Sequence, residues 1–303
     1  MKAMGSMFWA HVEGPGSWSE LARAWEFDAV PLVGLLMAAW VYRRGVRRLW
    51  AEVGRGRGLR KWEVAAFWGG WVMLAVALVS PLHPWGRVLF SAHMVQHELL
   101  MVAAAPLLVL ARPGVAVMFA LPRGEAREVS RMVRAEKVRR VWRTLTEPFV
   151  AWGLHAAALW VWHVPRFFQA TLRSQVMHDL QHVIFFGTAL LFWWALIHGR
   201  AGLRGFGVAV LYLFTTMLHS GALGALIALA DEVIYPAYSR SGDAWGLSAM
   251  EDQQLGGLIM WVPAGLVYVV AALALIAGWM RVAEKSYPAA GKEAKGEVLG
   301  SGF

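Results

Sequence analysis

The sequence predicts an all-α polytopic membrane protein, a bundle of seven transmembrane helices, and three observations carry that prediction. Of the 303 residues, 58% are hydrophobic and only 16% charged, too apolar a mixture for a soluble domain of this length. Seven segments approach the roughly 20 apolar residues that cross about 30 Å of hydrocarbon. The lysines and arginines fall in blocks between those segments, as topology signals do. A net charge of +9 would suggest nucleic acid in a soluble chain. Confined to inter-helix blocks, it implies a lipid bilayer and no nucleic acid.

The first span is placed near Phe27 to Val41 and the second from Trp62 to Val79. Between them lie Arg43, Arg44, Arg47, Arg48, Arg55, Arg57, Arg60 and Lys61, so that loop is expected in the cytoplasm. The third span runs from Val88 to Leu110, and a basic loop, 111–147, follows it. In that loop Val129, Met132, Val133, Val141, Trp142 and Leu145 recur at helical spacing among arginines. The pattern fits a helix lying on the anionic inner leaflet, or a topology signal that happens to be helical. Spans four to seven are placed from Pro148 to His163, Val176 to Ile197, Phe206 to Ala230 and Leu255 to Met280. The alternate loops are poor in basic residues, so the N-terminus is expected outside and the C-terminus inside. The chain thus divides into an extracytoplasmic segment, 1–26, a transmembrane domain, 27–282, and a disordered cytoplasmic tail, 283–303. The N-terminus lacks the basic and apolar regions of a cleaved signal. The expected location is a bacterial plasma membrane, with multi-pass topology.

There is no cysteine, which excludes disulfides, thiolate ligands and CxxC redox chemistry in this chain. Any metal must be held by His, Met, carboxylate or backbone oxygen. On the expected topology most of the ten histidines gather at the outer face. His93 and His97 lie in the outer half of the third span, and His178 and His182 at the outer end of the fifth. His83 is in an outer loop, and His163 ends the fourth span. Residues four apart share a helix face, so each pair can present two imidazoles to one ion. Copper, zinc or a haem iron suits such a donor set, while hydrogen bonding between helices is the plainer role. His219 can line the same cavity from below, and Met94 and Met217 can add thioethers, although packing is the commoner use of Met. His155 is left out of the ligand set as too near the cytoplasmic half; His198 is assigned to the inner interface and His11 to the N-terminal tail. Glu98 can handle protons or support a ligand, and Asp179 can orient an imidazole; a structural pairing serves either equally well.

SAHMVQHELLMVAAAPLLVLARP, HDLQHVIFFGTALLFWWALI and AMEDQQLGGLIMWVPAGLVYVVAAL together resemble signature segments of the CtaG family of integral-membrane cytochrome c oxidase assembly factors. The likeness extends over roughly Pro31 to Trp279. An unrelated single-span copper chaperone shares the family's name but bears cysteine, so the resemblance is to the polytopic kind. It implies a factor that matures a haem-copper oxidase by helping copper reach an oxidase subunit, with His93, His97, His178 and His182 as the family's histidine pairs. Asp252, Gln253 and Gln254 match its last signature; a helix cap is their alternative role. Two further functions stay open: a bis-histidine haem protein for electron transfer or haem delivery, and a scaffold without metal. A conventional enzyme has least support, since no nucleophile and base set, P-loop or dinucleotide fingerprint is present.

Overall fold

The computed structural model describes residues 25, 28–199, 205–238 and 246–286, and no strand occurs among them. Helix α1, Ala29–Val53, carries the expected first span straight on through its arginines. Arginine is a good helix former, and Gly54 with φ of 92° ends the run. Helix α2, Lys61–Val79, begins where Glu63 accepts a 2.6 Å bond from the Arg60 N–H. The buried Glu63 carboxylate also lies 3.6 Å from Arg112.

A short helix, α3, Leu82–Val88, then occupies the expected outer loop. The third span is a composite rod: α4, Phe90–Glu98, a π-helical turn, Leu99–Ala104, and α5, Ala105–Leu110. Pro106 accounts for the wide turn, because it lacks an N–H and its ring presses on the carbonyl four residues back. The loosened Met101 carbonyl accepts the Trp193 indole N–H at 2.9 Å, a repair that a membrane interior demands. Helix α6, Pro113–Ala120, returns toward α1.

The amphipathic stretch of the basic loop forms two helices, α7, Arg123–Arg134, and α8, Glu136–Leu145, broken by extended backbone at Ala135. Neither buries a residue. Helix α9, Pro148–His163, is bounded as the sequence suggests, since the Glu147 carboxylate caps Val150 N at 2.9 Å and Pro165 follows its end. An unanticipated helix, α10, Pro165–Arg173, links it to α11, Gln175–His198, capped by Ser174. Helices α12, Gly205–Ala228, and α13, Ala249–Ser286, complete the order, with a 3-10 turn at Pro236–Tyr238 between them.

Six of these elements are long and apolar enough to cross a membrane: α1, α2, the composite rod, α11, α12 and α13. The expected fourth span, α9, has 16 residues, a rise of about 24 Å. The first span's helix starts at Ala29, and residues 283–286, assigned above to the tail, continue α13. The segment 1–24, which includes His11, and the tail 287–303 lie outside the described residues.

The main core is built from the composite rod with α9, α11, α12 and α13. Helix α1 sits apart in a smaller cluster with α2 and α6, where Tyr42 stacks on Phe67 at 3.5 Å and Gly45 lies against the Ala116 carbonyl. Helices α12 and α13 touch backbone to backbone: a Cβ added to Gly257 would lie 2.7 Å from the Gly224 carbonyl oxygen. Small residues allow that approach.

Candidate metal centre

Helix α4 starts at Phe90 because Asp252, from the first turn of α13, caps it across space. Its carboxylate accepts the N–H of Phe90 at 2.6 Å and of Ser91 at 3.0 Å, together with the Ser91 hydroxyl. From that fixed start His93 and His97 project one turn apart, buried, with ring centroids 4.3 Å apart. Helix α11, fixed at its own start by Ser174, presents His178 and His182 with ring centroids 4.2 Å apart. The two pairs meet. One nitrogen from each of His93, His178 and His182 lies within 4.8 Å of the others, and all three rings are buried.

His97 is outside that triad but adjoins it, with its ring 5.4 Å from His182 and 6.3 Å from His163. His83, on α3, comes within 5.3 Å of His178. Six imidazoles from four helices therefore share one chamber, walled by Phe168 and Phe185.

Hydrogen bonds assign the free lone pairs. The His93 Nδ1–H donates to the Gly86 carbonyl at 3.1 Å, the same oxygen that receives the Tyr238 hydroxyl at 2.8 Å. The His163 Nδ1–H donates to Leu159 O at 2.7 Å. Each ring then carries its lone pair on Nε2, and the Nε2 atoms of His93, His163 and His182 and both nitrogens of His97 are buried without a hydrogen-bond partner among the described residues. An imidazole whose other nitrogen donates to a carbonyl is set as a metal ligand. His83 differs: Gln96 Nε2 lies 2.9 Å from its Nδ1 and Arg87 lies 3.2 Å from its Nε2. Burial, then the Arg87 guanidinium, pushes its pKa down to about 4. The ring is thus neutral at pH 7.

Other candidates fall elsewhere. Asp179 is exposed and accepts a 2.8 Å bond from Gln175, so it orients no imidazole. Glu98 lies within electrostatic range of Tyr268, and its Oε2 is buried without a partner among the described residues. Met94 is fully buried in the core and Met217 packs at its edge, beside Gly265. His219 joins a deeper group instead, with its ring 5.4 Å from Trp152. His155 pairs with Thr188 at 3.2 Å, and His198 stacks on Trp194.

In the polar cluster at the start of α13, Asp252 and Gln253 each hold a neighbouring segment. Asp252 is the cap just described, and Gln253 ties the preceding loop by accepting from Ile234 N at 2.6 Å and donating to Glu232 O at 3.1 Å. Gln254 is exposed.

Sequence reasoning missed two buried glutamines. Gln96 donates to Ala77 O at 2.6 Å as well as facing His83, and Gln181 is wholly buried between its histidines, its amide atoms unpaired among the described residues. The signal was present: HMVQH and HDLQH share one pattern, H-x-x-Q-H. Tyr238 was missed for want of any motif.

Curated relatives include uncharacterised proteins of Mycobacterium bovis and Mycobacterium tuberculosis, each 27% identical over 277 residues, covering 88% of this chain and 41% of theirs. One from Mycobacterium leprae is 25% identical over 275 residues, covering 85% of this chain and 40% of its own. The chain thus spans about two-fifths of the length of these relatives. No solved structure matches. The family model described as cytochrome c oxidase caa3 assembly factor matches residues 40–282, a range that holds all six clustered histidines, and the chain therefore belongs to that family.

Proposed function

We propose that this protein is a multi-pass factor of a bacterial plasma membrane that binds copper in the histidine chamber and makes it available to a subunit of a haem-copper cytochrome c oxidase. The observation that carries the proposal is the convergence of His93, His178 and His182 within 4.8 Å. The Nε2 atoms of His93 and His182, buried without hydrogen-bond partners among the described residues, are expensive in hydrocarbon. A bound ion offsets that cost.

The donor chemistry favours cuprous copper. The triad contains no carboxylate and no thiolate, so neutral ligands must accept the ion's whole charge in a low dielectric. Desolvation scales with the square of charge, so a monovalent ion costs about a quarter as much as zinc or cupric copper. Imidazole suits copper. Flanking His97 and His163 offer replacement donors, so an ion can change ligands one at a time. Each exchange leaves it coordinated, which a delivery site requires.

In this reading α9 is the seventh span. It is short, but its Leu159 and Trp162 lie in the main core and its last residue, His163, reaches the chamber. The arginine-rich segments face the cytoplasm and the chamber faces outward.

The test is metal analysis with an absorption spectrum on detergent-purified protein loaded with cuprous ion, beside H93A/H178A/H182A. About one copper per chain is expected, absent from the variant, with unchanged helicity and elution. Equal metal in both proteins would end the proposal. A Soret band in the purified protein would favour haem instead.

A further inference from the structure

A second site lies at the other end of the molecule, on α1. A recess of about 600 Å³ is lined by Trp40, Arg43, Arg44, Arg47, Arg48 and Ala51. Four guanidinium groups line it, and no carboxylate does. Two are already fixed: Arg44 Nε and Arg48 donate to the Ala120 carbonyl, each at 3.0 Å, and Arg44 also lies 5.3 Å from the Trp40 ring centroid. Arg43 and Arg47 are exposed and make no hydrogen bond or ion pair among the described residues. Four like charges repel one another in a partly apolar recess. An anion relieves that repulsion, and planar guanidinium forks match phosphate oxygens.

The same helix face also states what kind of phosphate fits. Val33, Leu36, Met37 and Trp40 are exposed at helical spacing, and the face continues one turn on into Arg43, Arg44 and Arg47. Residues three and four apart are surface neighbours, so an apolar strip about 10 Å long, enough for the upper part of an acyl chain, runs directly into the cationic recess. Free phosphate has no use for the strip. We infer that α1 binds an anionic phospholipid, with its phosphodiester among Arg43, Arg44, Arg47 and Arg48 and an acyl chain along Val33, Met37 and Trp40. Basic recesses beside membrane helices commonly receive such headgroups. This inference rests on α1 and α6 alone and is independent of whether the histidines hold copper.

The test titrates detergent-purified protein with phosphatidylglycerol and follows the unfolding midpoint. A saturable rise is expected with phosphatidylglycerol, and none with phosphatidylcholine or inorganic phosphate. In R43Q/R47Q the apparent affinity should fall about thirtyfold, since each basic group near an anionic headgroup is worth roughly a factor of five. R131Q/R134Q removes as much charge from α7 and should change it less than about threefold. An equal rise with either control ligand, or equal losses in the two double variants, would overturn the site. If R43Q/R47Q does not fold, R47Q alone takes its place, with a loss of about fivefold expected.

Discussion

Four of the six letters of DQQLGG, from Asp252 to Gly257, can be assigned from what they touch. Asp252 caps the helix that carries His93 and His97, and Gln253 pins the loop leading to Tyr238. Gly256 leaves room for the Phe90 ring, and Gly257 for the backbone of α12. The cap is buried and shared by three donors, so Asp252→Ala should destabilise the protein by about 2 kcal/mol; thermal unfolding in detergent measures it. Asn at 252 keeps an acceptor and should cost less than Ala. Tyr238 supports His93 through the Gly86 carbonyl. Phe there should weaken cuprous binding by about tenfold, read by competition with a chromogenic chelator, while leaving the unfolding midpoint nearly unchanged. The histidines were legible in the sequence because their spacing and depth are fixed by one helix each. Tyr238 was not, since its role depends on a 3-10 turn folding back over α3.

At the scale of elements, boundaries were readable where the chain is punctuated. Glu147, Pro148 and Pro165 bracket α9 as the sequence suggests. Leu82–Val88 escaped notice because Pro84 and Gly86 read as breakers, yet Pro84 falls in the first turn, where its missing N–H is harmless. The break at Ala135 carries no composition signal. The α12 and α13 crossing is the tightest contact between long helices described here. Gly257→Val drives methyl groups into the Gly224 carbonyl and Ala228 and should cost at least 2 kcal/mol. Loss of monodisperse elution, or a lowered unfolding midpoint, reports it. A neutral outcome would mean that the helices part more readily than their spacing implies.

For the molecule as a whole, hydropathy shows depth but not neighbours. It brought His93, His97, His178 and His182 to one level; that α4 and α11 are near neighbours, with α3 beside them, depends on packing no single segment encodes. The small cluster holding α1 beside α2 and α6 was equally hidden. Orientation can be checked directly, because a chain without cysteine accepts single reporters. Asp231→Cys should react with an impermeant maleimide in intact cells, and Ser130→Cys only after permeabilisation. The reverse pattern would place the chamber on the cytoplasmic side.

The π-helical turn between Glu98 and Ala105 has one more consequence. It spreads an extra residue over the arc an ordinary winding would cover, so the rod has spare length at that point. Excising Ala103 should let the coil tighten while the imidazoles above and the valines below keep their bearings, and metal uptake should survive. Excising Leu107, where there is no slack, should swivel one half against the other and abolish uptake.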